Sequence, residues 1–473
     1  MTLYIGLFIT FCCGFFIINM ISAKFSLTEK IGLSFPVGMA VETIAMIIID
    51  LVGIKFSVVS LLSIQVIILL GVSIPVILKE RSNITNSIGI SAKTALSGTN
   101  LVWLVFVIAI IYLEYMNFYR CIFFPTFDND SLSAFDTIGY VSAMEHTYKG
   151  LSLFDKSYIT GIHGPGSIIT YAPFVQLCYA YVYSLGAETS KIIPALMYLS
   201  FLIAFYGVTK RNTTKTAAAI ATFFIIMAPD MTLFSSHSMT NVMLAAFASL
   251  GIIYVFTFIK YHEKKDLYIS GMLLGANMWC RTEGIVFIIA AFTVLFIYAV
   301  RTKEYRRFII FASISVFPAL FWFIFLKINN MYSENVAIIS LFWDAEKINT
   351  ILKGFLDLLT SMYYYGWTFV LFPIMLIASI WFMIKKKDSP AFLAMFFIAL
   401  FFYMLMLYHI EYKWDTIDNV LSYSAKRFMY CFIPLAWYYS CTCYPAKLLF
   451  SKLDNLLSLP QKAKLGCAMK IKN

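Results

Sequence analysis

Long apolar runs recur along the whole chain, separated by short polar breaks. The clearest cover residues 2–22, 31–53, 56–77, 99–118, 190–209, 216–233, 239–260, 306–328, 363–384, 390–410 and 426–446, and 268–300 reads as two further helices. A helix crosses the hydrocarbon core of a bilayer in about 20 residues. Lipid offers no partner to backbone N–H and C=O groups, so runs this long and unalternating predict helices rather than a barrel. The expected fold is an all-α polytopic membrane protein of about 13 spans.

One segment resists the simple count. Residues 166–186 are apolar enough to cross, but a crossing there places Lys210, Arg211 and Lys215 on the outer face. The expectation is an interfacial or re-entrant segment, which suits Tyr171, Pro173, Gln176 and Tyr179.

Composition agrees with the pattern. Of 473 residues, 61% are hydrophobic and 13% charged, with a mean hydropathy of +0.81. Roughly a quarter charged is usual for a soluble domain, so the charges are too few to coat a water-facing surface. The net charge of +11 does not point to nucleic acid, because the lysines and arginines gather in short loops between spans. Cytoplasmic loops carry such an excess. The loops holding Lys79/Arg81/Lys93, Lys210/Arg211/Lys215, Lys264/Lys265, Arg301/Arg306/Arg307 and Lys385/Lys386/Lys387, and the tail after Lys447, are therefore expected to be cytoplasmic.

Counting back puts the N-terminus outside and the C-terminus in the cytoplasm. Residues 2–22 lack a positive start and a cleavage site, and read as a retained span. The sequons at Asn83 and Asn212 fall on the cytoplasmic side. Most of the nine cysteines lie within apolar runs, against a disulfide framework.

The domain reading follows: a three-span bundle over 1–98, a central module over 99–300, C-terminal spans over 301–446 and a basic tail over 447–473. Three sizeable outer loops emerge, 119–165, 329–362 and 411–425.

The first outer loop holds the most informative stretch, FDNDSLSAFD at 127–136. Asp128, Asp130 and Asp136 lie close enough in sequence to repel one another, so one rises in pKa, binds a cation or pairs with a base. This suits a general base that deprotonates a hydroxyl. The D-x-D pair Asp128/Asp130 also suits a divalent cation, and a solvated acidic loop is the bland alternative.

The second stretch is WCRTEGI, 279–285. A helix over 268–280 is about 20 Å long against roughly 30 Å of hydrocarbon, which leaves Arg281 and Glu283 recessed below the outer surface. An arginine there is a functional-site hypothesis by default, and its fork of donors matches phosphate; a structural pair with Glu283 is the alternative. The third is SAKRFMYCFIP, 424–434, where Lys426 and Arg427 open the last span from the outer side, against the positive-inside pattern. A bound anion explains them, as does snorkelling. Glu114, near the outer end of its span, and His163 and His237 in outer loops are candidates to line the same cavity. Glu42 and Asp50 in the second span have no evident role. No Walker loop, GxGxxG, nucleophile elbow or zinc motif is present.

At these residues the chain resembles the integral-membrane GT-C glycosyltransferases, a group that includes the protein O-mannosyltransferases and the lipid A aminoarabinose transferases. FDTIGYVSAMEHTYKG (135–150) is similar to the family's first outer loop, where an aspartate precedes an aromatic-rich helix. HGPGSIITYAPFVQLCYAYVYSLGAETSKIIPALMYL (163–199) resembles the His-Pro-x-x-Pro segment and the span after it. SGMLLGANMWCRTEGIVFI (270–288) and KRFMYCFIPL (426–435) look like the later Gly-rich and Arg-aromatic-Pro segments. Asn241 stands where relatives often carry an aspartate, and Gly164 where a proline is usual. Residues 1–98 fall outside the resemblance.

The resemblance implies a GT-C-like bundle and transfer of a sugar from a polyprenyl-phosphate donor to a glycan, lipid or protein hydroxyl on the outer, periplasmic face. Asp128, Asp130 or Asp136 would then be the base, with the resemblance favouring Asp136. Arg281 with Arg427 or Lys426 would hold the phosphate, and the transfer itself requires no metal. The loop 329–362, with Tyr332, Trp343 and Tyr363 to Tyr365, would cover the sugar or acceptor. The bacterial-type relatives point to a bacterial inner membrane. Two rival readings are an O-antigen polymerase or ligase, and a secondary transporter or lipid flippase.

Overall fold

The computed structural model describes residues 1–95, 100–154, 169–331, 337–385, 387–412 and 415–457. Side chains of 79–95, 337, 338 and 412 lie outside that description, as do His163, Gly164, Tyr332, Lys386 and the end of the basic tail. The chain is an all-α polytopic membrane protein. Among the described residues, nine helices are long and apolar enough to cross a bilayer: Thr2–Ile21, Leu27–Leu51, Val58–Leu78, Leu101–Phe123, Ile192–Asn212, Asn241–Tyr261, Thr282–Thr302, Tyr305–Ile328 and Ala391–His409.

The other four expected spans are shorter or broken, and the breaks cluster around the candidate chemistry. The run 216–233 divides into Lys215–Ile226 and Pro229–Phe234, because Pro229 supplies no N–H and opens a new helix. The run 268–280 starts earlier than expected, as Lys264–Cys280, and stops at extended Arg281. The run 363–384 is interrupted at Gly366. The last run winds through a π turn, a 3-10 turn and the helix Phe432–Thr442 before Tyr444–Leu457.

The segment Phe174–Ser184 is an 11-residue helix. At 1.5 Å per residue it is about 17 Å long, too short for roughly 30 Å of hydrocarbon. Its Tyr181 hydroxyl meets Gln65 Nε2 at 2.5 Å, in the third turn of the third helix, and Thr10 Oγ1 at 3.3 Å, midway along the first. Lys191, just beyond it, returns to the carbonyl of Phe124 at 2.7 Å. The segment thus dips into the bundle and comes back to the same end.

The two ends of the bundle differ in chemistry. At one, Arg211 pairs with Asp266 at 2.6 Å and Glu29 at 3.4 Å, and Lys265 donates to the Lys24 carbonyl. The expected outer loops all gather at the other. There the loops around 340 and 411 join as a short antiparallel ribbon, Ala337–Ile339 with Ile410–Tyr412. The loop 329–362 also contains the helix Ala345–Thr360, whose Ile351, Phe355 and Leu358 are buried. Apolar residues at i, i+4 and i+7 make a half-buried helix lying along a surface, which a scan for uniformly apolar runs passes over.

The first three helices are part of this bundle. Gly32 of the second packs so tightly on the helix Ile192–Asn212 that a Cβ there would fall 2.2 Å from the Ala204 nitrogen. Such small-residue contacts let membrane helices approach closely.

Candidate active site

The first outer loop is built on a helix. Asp128 opens it, accepting from the Ser131 N–H at 3.1 Å and Ser131 Oγ at 3.4 Å. The helix passes through a π turn, Ser131–Phe135, and continues as Asp136–Glu145. It lies flat on the re-entrant helix. Gly139 makes this possible, since a Cβ there would sit 2.5 Å from the Tyr179 Cβ.

Its far end is clamped by a residue that the sequence left without a role. Asp50 accepts from Thr147 Oγ1 at 2.7 Å, the Tyr148 N–H at 3.2 Å and the Lys149 N–H at 2.8 Å. Its near end is held by Lys191, whose buried ammonium donates to the carbonyls of Phe124 (2.7 Å), Arg120 (3.4 Å) and Pro125 (3.4 Å). Phe124 and Pro125 follow the end of helix Leu101–Phe123, and the Arg120 carbonyl is shared with the capping N–H of Phe124 at 3.2 Å.

The three aspartates turn to three different partners. Asp128 Oδ1 faces His237 Nδ1 at 3.9 Å. Asp130 Oδ2 receives Arg427 Nη1 at 2.6 Å. Asp136 Oδ1 accepts from the Tyr183 hydroxyl at 2.9 Å, with Ser190 and Lys191 nearby. Burial raises the Asp136 carboxyl above the usual range, while the hydroxyls of Ser190 and Tyr183 and the Lys191 charge oppose the rise. Because Asp128 and Asp130 diverge, the D-x-D pair does not converge on a cation position, and no group of three or more metal-ligating side chains occurs among the described residues.

Arg281 directly follows the helix Lys264–Cys280. Arg281 is held by Glu283 through Nε at 3.0 Å and Nη2 at 2.8 Å, and its Nη1 reaches Asn241 Oδ1 at 3.2 Å. A guanidinium has five N–H groups, so one remains on each terminal nitrogen. Tyr171, at the entry to the re-entrant helix, lies within electrostatic reach of Glu283, Arg281, Asp130 and Arg427 together. The loop carboxylate and the recessed guanidinium therefore share one neighbourhood at one end of the bundle.

Other candidates are paired off or lie apart. Lys426 does not offer a bare charge: it pairs with Asp230 at 3.2 Å and lies 4.5 Å from the centre of the Tyr364 ring. Tyr430 donates to the same Asp230 at 2.7 Å. Asp230 is buried, and sequence reasoning missed it, although a carboxylate at the outer end of a span is itself a signal. Lys191 carried the same signal as Lys426, a cation at the expected outer end. Glu114 does not join the loop acids; it is buried within its span beside Asn117 and Tyr198. Trp343 lines an apolar hollow of about 420 Å³ with Leu341, Phe401, Met404 and Tyr408.

A family model described as dolichyl-phosphate-mannose-protein mannosyltransferase matches residues 171–342, less than half of the chain. The match takes in Tyr171, His237, Asn241, Arg281 and Glu283, and stops short of the aspartate loop on one side and of Arg427 on the other. No curated protein and no solved structure matches.

Proposed function

Taking the chain as a GT-C membrane glycosyltransferase, as the family match supports, we propose that it moves a sugar from a polyprenyl-phosphate donor to an acceptor hydroxyl at the end of the bundle that carries the aspartate loop. The observation that carries this reading is geometric: Arg427 meets Asp130 at 2.6 Å, and His237, which faces Asp128, lies just before Asn241 in the chain, which accepts from Arg281 at 3.2 Å.

In a single displacement the acceptor oxygen bonds to the anomeric carbon as its proton leaves to a base, and the configuration inverts. The bond to the donor phosphate breaks with its electron pair on oxygen. Phosphate is already a stable anion, so the leaving group needs positive charge at its oxygens rather than a general acid. Arg281, with two N–H groups to spare, and Arg427 are placed to supply it. Arg427 keeps one nitrogen clear of Asp130 and the Tyr423 carbonyl.

Two carboxylates are equipped as the base. Asp136 matches the aspartate of the family resemblance, and burial makes it a stronger base than a free carboxylate. Asp128 has one oxygen uncommitted to Ser131 and stands two residues from the Arg427 contact. Asp130 is occupied by its guanidinium. The rival transporter reading has less support, since transporters concentrate their site at the bilayer midplane between repeats, whereas these groups gather at one end.

The test is to supply purified protein with radiolabelled polyprenyl-phosphate sugars and acceptor glycans, lipids or peptides, and to follow the label. Label moving from a lipid monophosphate to an acceptor supports the proposal. Turnover only of a lipid pyrophosphate-linked oligosaccharide replaces it with a polymerase or ligase, and label that stays on every lipid ends it.

A further inference from the structure

His237 is a buried side chain with nothing to do in the resting fold. It is 7% exposed, and neither ring nitrogen has a hydrogen-bond partner among the described residues. Leaving a buried polar group unmatched is costly, so such a group needs a reason. Its ring is held edge-on against Phe127 and tilted against Phe234, both with centroids 5.0 Å away. Asp128 Oδ1 lies 3.9 Å from its Nδ1. Asp128 is the more exposed of the two, with 22% of its side chain accessible, so the imidazole stands behind the carboxylate as seen from solvent.

We propose that Asp128 and His237 form a relay in which the carboxylate takes the acceptor proton and passes it to the imidazole behind it. This rests on the glycosyl-transfer reading above and assigns the base to Asp128. The acceptor O–H bond breaks and its electron pair forms the bond to the anomeric carbon. The bond to phosphate oxygen breaks with its pair on the phosphate. The proton goes to Asp128 Oδ1 and then to His237 Nδ1, leaving a carboxylate beside an imidazolium. At 3.9 Å the two groups stand outside hydrogen-bond distance, so the relay requires that acceptor binding first draw Asp128 onto the ring.

The charges around the ring fit this role. The loop contributes Asp128, and the cations Lys191, Arg120 and Arg427 face the ring from three other elements. Burial, aided by those cations, holds the imidazole below the ordinary histidine value against the pull of Asp128, so it is neutral and ready to accept near pH 7. Arg120 is fixed by Ser236 Oγ at 2.9 Å and the Leu233 carbonyl at 3.3 Å. His237 acts through Asp128 and is a positioning and proton-storing residue, not one that touches substrate.

The experiment is the pH profile of sugar transfer by the full-length protein in detergent or vesicles, with the polyprenyl-phosphate sugar that the wild type turns over. The rate should fall as acid protonates His237. His237→Gln should lower the rate roughly 10²-fold and remove that limb. Arg120→Gln takes away a neighbouring positive charge, raises the imidazole pKa and should move the limb to higher pH. Should His237→Gln fold poorly, the Arg120→Gln shift still decides. A His237→Gln protein with the wild-type rate and limb, or an Arg120→Gln limb that does not move, overturns the relay while leaving glycosyl transfer intact. Wild-type protein that turns over no such donor overturns the transfer reading itself.

Discussion

Arg427 reaches Asp130 at 2.6 Å across 297 positions of sequence, tying the opening of the last span to the first outer loop. Asp130 is 43% exposed, so the contact registers two loops more than it stabilises them; exposed pairs contribute about 0–1 kcal/mol. Asp130→Asn should leave thermal stability close to wild type and retain measurable transfer, because the engaged carboxylate is not the base. A collapse of turnover as deep as that of Asp128→Asn or Asp136→Asn, seen in a radiolabel assay, would return Asp130 to the chemistry.

Asp136 carries its own pH signature. The Tyr183 hydroxyl favours its ionised form, so Tyr183→Phe removes a donor and raises the carboxyl further. A base works only when ionised. If Asp136 is the base, activity falls as pH drops through the raised value, and Tyr183→Phe should shift that fall to higher pH. Asp136→Asn should then fold and express normally but fail to transfer; retained activity in that variant takes Asp136 out of the site.

Arg281→Ala should weaken binding of a polyprenyl-phosphate donor more than binding of the acceptor. It also strands Glu283, which gave Arg281 two of its contacts. The double variant with Glu283→Gln should therefore recover expression without recovering donor binding. Equilibrium binding of labelled lipid phosphate reads this directly, and a defect confined to the acceptor contradicts the assignment.

Asp50→Ala removes the acceptor for three hydrogen bonds at the far end of the aspartate helix. Charged acceptors contribute about 1.5–3 kcal/mol per bond, and so the loop should open locally. Faster cleavage within 119–165 by protease, with the global melting temperature lowered by less, is the expected result. Unchanged cleavage would mean that the loop is held by its other contacts, among them Lys191, Arg427 with Asp130 and Tyr183 with Asp136.

Sidedness can be read from a single thiol. All eight described cysteines are free, and all but the half-buried Cys12 are buried, so native background labelling in the bundle should be low. Asn129→Cys, on an exposed position of the aspartate loop, should react with an impermeant maleimide added to intact cells. Reaction only after lysis inverts the expected orientation.

The spans were legible because lipid imposes a crude rule, about 20 apolar residues, and the chain obeys it for the nine long helices. The re-entrant helix was legible only through charge, since Lys210, Arg211 and Lys215 leave no room for another crossing. Arg281 with Glu283 was visible as a polar pair where polarity is costly, and the aspartate loop as three like charges close in sequence. Pairings across the fold were not visible. Nothing local says that Lys426 belongs to Asp230 or Arg427 to Asp130, because such contacts depend on which helix ends meet. The helix Ala345–Thr360 escaped notice because its apolar residues occupy one face rather than a run.

The first three helices fall outside the resemblance, yet they carry two of the carboxylates on which the rest leans. Glu29 is one of the two counter-ions of Arg211 and also receives the Tyr254 hydroxyl, while Asp50 grips the aspartate helix. A shortened chain starting near residue 99 would keep every proposed reacting group but lose the brace on either side of the bilayer. The apparent appendage is thus closer to a buttress, and any minimal enzyme cut from this protein will have to include it.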